Sequence, residues 1–143
     1  MPHINPSDPE LARILSAASI IAMVGASANP ERASNGIMRQ LQRAGYRVIP
    51  VNPRETEVLG ERAYASLSDV PERVDIVDVF RRAEDTPPIA AEAARIGAKV
   101  LWLQSGIAND EAAAHAEAAG LAVVMDACIG ATHARLRLPA ADR

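Results

Sequence analysis

Three kinds of residue in this chain carry usable chemistry, and all of them follow apolar runs. The first is Gly25, with Ala26, Ser27, Ala28, Asn29 and Pro30 behind it, directly after Ile20-Ile21-Ala22-Met23-Val24. A glycine there lets backbone come close to an anion, through a positive φ or through the missing side chain. Ser27 can offer an anion its hydroxyl as well as its N–H. A helix that begins at about Ser34 or Asn35 adds unpaired N–H groups and the positive end of its dipole. The second kind is arginine. Arg32 and Arg54 lie close in sequence to two of the run ends, and a guanidinium can grip phosphate oxygens bidentately. Each feature alone also fits a blander role: a solvated surface arginine, or a plain tight turn at Gly25. The third kind is the set of short strings that close the other runs: Val51 to Arg54, Phe80 to Arg82, Gln104 to Ile107, and Asp126 to Cys128.

No nucleophile–base pair stands among them. Asp75, Asp78 and Asp126 have the spacing of strand alternation and end caps, not of an acid–base dyad. His3, His115 and His133 are the three histidines and show no ligand spacing, so no metal site is expected. His115 falls on an alanine-rich stretch and His133 near the end, and both read as surface or packing residues. Cys128 is the single cysteine, which excludes an intramolecular disulfide and a cysteine metal cluster.

The elements that must position these residues follow from periodicity. Asp8-Pro9-Glu10 reads as a helix start, Asp8 as its N-cap, and the helix should stop near Ala18. Residues 1–7 read as loose. Strands are expected at 20–24, 46–51, 75–80, 99–103 and 121–125. Helices are expected from Ser34 or Asn35 to Ala44, from about Glu84 to Ile96, and from the cap Asn109 to about Ala119. Residues 53–73 lack strong periodicity, although Leu59-Gly60 looks like a turn, Tyr64 fits a short extended piece and 66–70 a short helix. Asp75 and Asp78 suggest that one edge or face of the third strand is less buried than the first. Residues 129–137 suggest a final turn or helix, and the tail from Pro139 reads as frayed.

Five strands alternating with helices make an α/β chain: a single Rossmann-like, doubly wound domain over 1–143, its core about 18–136, with no linker. Composition agrees with a buried parallel sheet. The chain is 49% hydrophobic but only 3% aromatic, so the core must be aliphatic. A net charge of −3, without a basic stripe or aromatic platform, argues against nucleic acid. No run reaches membrane-spanning length and the start lacks a signal-peptide pattern. The expectation is a soluble cytoplasmic protein.

In such sheets ligands bind outside the C-terminal strand ends. A dinucleotide site would show G-x-G-x-x-G after the first strand and an acid closing the second. Here Ser27 stands where the second glycine belongs, and the second strand ends in Val51-Asn52-Pro53. The loop has no lysine, so it is not a Walker A loop. A nucleotide with several phosphates but no nicotinamide fits the residues better.

The strings Tyr46-Arg47-Val48-Ile49-Pro50-Val51-Asn52-Pro53 and Trp102-Leu103-Gln104-Ser105-Gly106-Ile107 are specific together. With Val24-Gly25-Ala26-Ser27, Leu59-Gly60, Val74 to Arg82 and Val124 to Ile129, they resemble the small stand-alone CoA-binding proteins. That domain is similar to the N-terminal CoA-binding domain of the succinyl-CoA synthetase α-subunit and of ADP-forming acyl-CoA synthetases. The resemblance implies CoA or acyl-CoA lying across the strand ends, without catalysis by this chain. It implies Gly25, Ala26 and Ser27 at the diphosphate, near Asn29 and Arg32. It implies Asn52, Pro53 and Arg54 at the adenosine end, Phe80 and Arg81 next, and Gln104 and Gly106 toward the pantetheine arm. Many relatives carry Lys-Pro-Ser where this chain has Arg32-Ala33-Ser34: the charge is kept and the proline is lost. Other readings stay open: an enzyme using an NADP-like cofactor or acyl-CoA, or a CoA-responsive partner of another protein, with a homo-oligomer also possible. Cys128 could form a mixed disulfide with a CoA thiol or simply pack in the core.

Overall fold

The computed structural model describes residues 3–140. Five parallel strands form the main sheet: β1 (Ile20–Val24), β2 (Arg47–Val51), β5 (Ile76–Val79), β6 (Val100–Leu103) and β7 (Ala122–Val124). Their spatial order is β2-β1-β5-β6-β7. The chain steps from β1 to one side, then returns to pair β5 on the other. Between β1 and β5 the order reverses, and that reversal opens a crevice at the C-terminal strand ends.

The central strands are apolar along their length, Asp78 of β5 excepted, because both faces are covered. Ala22 and Val24 of β1 join Val77, Val79, Leu101 and Leu103 in one buried layer. Helices α3 (Thr86–Arg95) and α4 (Asp110–Ala118) close it with Ala90, Ala93, Ala112 and Ala116. Small alanines let these helices sit close to the sheet. Ile21 and Met23 point to the other layer with Val48, Ile76 and Trp102. There α1 (Asp8–Ala17), α2 (Ala33–Arg43) and α5 (Ile129–Arg135) supply Leu11, Leu15, Met38, Leu41 and Ile129. The alternation along β1 is thus the reason that both layers form from one strand.

The five strands and their flanking helices stand where the sequence put them, with strand ends trimmed by a residue. Several expectations are corrected. Ser7, not Asp8, precedes the first helix turn, and Asp8 pairs instead with Arg135 at 2.8 Å. Arg32 precedes α2, and Ser34 and Asn35 lie inside its first turn, where the Asn35 amide donates to the Ser27 carbonyl at 2.9 Å. Residues 3–7 are held, not loose. The Asn5 side chain donates to the Met125 carbonyl at 2.8 Å and accepts the Met125 N–H at 2.9 Å. His3 lies 2.9 Å from Glu117. Residues 1–2 and 141–143 lie outside the described residues. β5 has no less-buried face: all four of its residues are buried, Asp78 completely. Asp75 sits just before β5, where its carboxylate accepts the Ser19 and Ile20 N–H groups at 2.9 and 3.0 Å and so caps the start of β1.

Within 53–73 the Leu59-Gly60 turn joins two short antiparallel strands, β3 (Glu57–Val58) and β4 (Glu61–Arg62). Both turn residues have positive φ, 49° and 84°, which suits a tight hairpin. Tyr64 makes one parallel bridge to Val51, and a 3-10 turn spans Leu67–Asp69. Asn109 caps α4 as expected, accepting the Ala112 N–H at 2.9 Å. His133 is buried with its ring edge-on to Tyr46, and His115 is exposed on α4.

Candidate functional site

The loops after β1 and β5 meet at the crevice and are fitted to each other. The Gly25 N–H donates to the Val51 carbonyl at 2.9 Å, and the Phe80 N–H to the Val24 carbonyl at 2.8 Å. Gly25 has a φ of 90°, and a Cβ there would lie 2.5 Å from the Phe80 carbonyl oxygen. Both requirements anticipated for this glycine bear on the loop, but the atom it makes room for is backbone. Asn52 then ties the next loop in. Its amide donates to the Ala26 carbonyl and accepts the Arg54 N–H, each at 2.9 Å. Ala26 is itself buried and contributes only that carbonyl.

The loop beyond Gly25 is made of two side-chain turns in series. The Ser27 hydroxyl oxygen accepts the Asn29 N–H at 3.1 Å, and the Asn29 side chain accepts the Glu31 N–H at 2.9 Å. Such local bonds hold a short polar loop without a sheet or helix ladder. The Ser27 O–H remains a donor. Asn29 is exposed and shapes the loop.

Around this frame lies a cleft of about 430 Å³ lined by Gly25, Ser27, Arg32, Ser34, Asn52 and Arg54, with Glu55 and Phe80. Ala33 and Ser34, the first residues of α2, also line it, so the N-terminus of an 11-residue helix opens onto it. The Asn35 N–H is taken by the Arg32 carbonyl at 3.1 Å, which leaves the N–H groups of Ala33 and Ser34 at the helix start, and the dipole adds partial positive charge. Arg32 and Arg54 have no ion-pair partner within 4.0 Å among the described residues. The one carboxylate in the lining, Glu55, accepts the Ala28 N–H at 2.6 Å. The net local character is cationic and rich in donors, which suits a phosphate-bearing ligand. Pro53 and Arg81 line the adjoining part of the crevice, with Arg82. Arg81 and Arg82 both reach Asp85, at 3.6 and 3.3 Å.

On the far side of Phe80 the character changes. A second cleft of about 430 Å³ is lined by Ile37, Phe80, Gln104, Ile107 and Cys128, with Ala33 at the boundary and Arg81, Arg82 and Ser105 also in its wall. Gln104 is nearly buried and held at both ends of its amide. Its Nε2 donates to the Asp78 carboxyl, and its Oε1 accepts the Ile129 N–H at 3.4 Å. Burial pushes Asp78 up to about 8, and the Gln104 bond pulls the other way. The second Asp78 oxygen has no hydrogen-bond partner among the described residues.

The residue pattern of this chain matches the family described as CoA binding domain over residues 19–134. It belongs to that family. A relative from Bacillus subtilis, the uncharacterized protein YneT, is 43% identical over 130 residues, covering 91% of this chain and 96% of the relative. The structure of a hypothetical protein from Pyrococcus horikoshii superposes with a TM-score of 0.90 at 39% identity, covering 96% of this chain and all of that one. The acetate–CoA ligase (ADP-forming) I of Archaeoglobus fulgidus is 27% identical over 131 residues. This chain spans 85% of its own length in that match but only 19% of the ligase.

For a CoA binding domain, the crevice gathers most of the residues picked out in the sequence. Gly25, Ser27, Arg32, Asn52, Arg54 and Phe80 share the charged cleft, Pro53 and Arg81 adjoin it, and Gln104 lines the apolar one. Gly106 does not join them. Its N–H is taken by the Asp126 carboxylate at 2.6 Å, which ties the loop after β6 to the loop after β7. Cys128 is half-buried at the rim and accepts the Ala131 N–H, so core packing does not describe it. Ile107 closes the Gln104 to Ile107 string and lines the apolar cleft, whereas Glu55 and Ile37 lie outside the strand-end strings of the sequence. Ile37 shows in the sequence only as an apolar position at helical spacing, and nothing local marks Glu55. Among the described residues, no three His, Cys, Asp or Glu side chains are gathered for a metal ion, and no helix is long and apolar enough to cross a membrane.

Ser27→Ala removes a hydroxyl donor and also the acceptor for the Asn29 N–H. Titration calorimetry with CoA should show a loss of about 1.5–3 kcal/mol, the worth of one charge-assisted bond. Unchanged affinity would take the Ser27 loop out of the binding site.

Proposed function

We propose that this protein binds coenzyme A, free or acylated, across the C-terminal ends of β1, β2 and β5, without catalysis of its own. One observation carries the reading. At the point where the strand order reverses, Ser27, Arg32, Arg54 and the N-terminus of α2 line a single cleft, in a chain of the CoA binding domain family. In this reading the Ser27 loop and helix N–H groups take the diphosphate. Arg32 and Arg54 neutralise the remaining phosphate charge. Asn52 and Pro53 flank the adenosine, Phe80 and Arg81 follow, and the pantetheine arm runs past Phe80 toward Gln104. A ligand of this kind is drawn from the cytoplasm, where we place the protein.

Two features weigh against a nicotinamide dinucleotide. Strand β2 closes on Asn52, whose amide is committed at both ends to the loops beside it. The carboxylate nearest by, Glu55, is engaged by the Ala28 N–H. The absence of a catalytic constellation in the lining is the ground for a binding role. Ligase chemistry belongs to proteins of which this chain matches 19%.

The test is a thermal-shift comparison of CoA, acetyl-CoA, NAD, NADP and ATP at equal concentration. A ligand at 100 times its Kd stabilises by about 2.7 kcal/mol, or roughly 5–11 °C in a domain of this size. CoA and acetyl-CoA should give the large shifts and the dinucleotides small ones. An equal or larger shift with NAD overturns the reading.

A further inference from the structure

We infer that the apolar cleft beyond Phe80 is an acyl-group site, so that the preferred ligand is an acyl thioester and not the free thiol. The inference rests on the CoA reading above.

The two clefts divide by chemistry and join by contact. Arg32, Arg54 and Ser27 line one, while Ile37 and Ile107 line the other. Ala33 and Phe80 line both, so a single ligand can run from the cationic side to the apolar side. Such a ligand has an anionic head and an apolar end. A free thiol ends in one small atom and leaves most of the space between Ile37 and Ile107 in water. An acyl chain fills it, and each buried methylene adds about 0.8 kcal/mol, which is roughly fourfold in affinity.

Among the polar groups at this cleft the two arginines and Gln104 are already engaged, and Ser105 adds a hydroxyl. Arg81 and Arg82 are turned to Asp85. Gln104 cannot flip its amide, because its oxygen takes the Ile129 N–H while its nitrogen faces Asp78. The amide nitrogen has two N–H groups, and the one beyond Asp78 is a donor for a thioester oxygen.

Calorimetric titration with CoA, acetyl-CoA, butyryl-CoA and hexanoyl-CoA tests this. Affinity should climb along the series, with butyryl-CoA at least tenfold tighter than CoA. Ile37→Ala and Ile107→Asn should each flatten the climb, with melting temperatures measured alongside to establish that both variants are folded. If CoA binds and the acyl series is flat, the arm itself fills the cleft and the acyl inference fails while the CoA reading stands. A climb that persists unchanged in both folded variants places the acyl group elsewhere and also overturns it. If neither CoA nor any thioester binds, the CoA reading fails and takes this inference with it.

Discussion

Gly25→Ala is expected to lower the melting temperature by roughly 6–12 °C and to abolish CoA binding together with it. Two costs add at this residue. Its φ of 90° lies in the left-handed half of the map, where a side chain costs about 1–2 kcal/mol. The new Cβ would also stand 2.5 Å from the Phe80 carbonyl oxygen, which is backbone and cannot rotate away. Moving Phe80 strains its N–H bond to Val24, a rung between β1 and β5. A total near 3 kcal/mol translates to the stated shift for a domain of about this size. In the sequence Gly25 reads as a glycine that lets backbone come close to an anion. The geometry shifts the first cost into the fold, since the glycine is where two crossover loops touch. Gly106→Ala is the control. Gly106 has a φ of 81° but no heavy atom within 4 Å of its Cβ position, so only the dihedral cost applies. Thermal unfolding by circular dichroism separates the two. Equal small shifts for both variants would show that the Gly25–Phe80 contact relaxes freely.

That contact also marks the boundary of what the sequence could tell. Each of the five strands was legible because it is a short aliphatic run between turn residues, and each helix because it repeats at helical spacing beside a strand. The crevice followed from topology, since the rule about strand ends needs only the order of elements. What stayed hidden depends on three-dimensional neighbours. The β3–β4 hairpin is two residues per strand, too short for any period. Asn5 is polar and follows a loose-looking start, yet it clamps Met125 from 120 positions away. Ile37 reads only as one more apolar position at helical spacing, and the fold brings it, with Ala33 of the same helix, to a cleft wall shared with Phe80. Gly106 sits on the loop after β6, but its N–H faces Asp126, a pairing between two loops that no local pattern announces. Asp78 misled for the same reason. An acid in a strand suggests water nearby, whereas here a parallel sheet buries it between Met23 and Trp102 in register.

Asp78 should make the protein less stable as pH rises from about 4 to about 8. Removal from water favours the neutral acid, and the folded carboxyl is pushed up to about 8 against an ordinary 3.8. In that window the folded chain keeps a proton that the unfolded chain has released. The folded state binds more protons, so stability falls with rising pH, by up to about 1.4 kcal/mol per unit. Below 3.8 both states are protonated and this group adds no slope. Above about 8 both are ionised and the loss is complete. Asp8 behaves oppositely. Its hydrogen bond to Arg135 lowers it, so its contribution fades only in stronger acid, outside this window. Asp78→Asn removes the titration while keeping an oxygen for the Gln104 amide. Its new N–H₂ takes the place of the unpartnered oxygen, at a cost of about 1–3 kcal/mol if no acceptor is reached. The variant should therefore match or trail the parent at pH 5 and exceed it by several kcal/mol at pH 8.5. Urea unfolding at pH 5, 6.5 and 8.5 gives both profiles. Parallel profiles would mean that Asp78 is ionised in the folded protein throughout, held by a partner beyond Gln104.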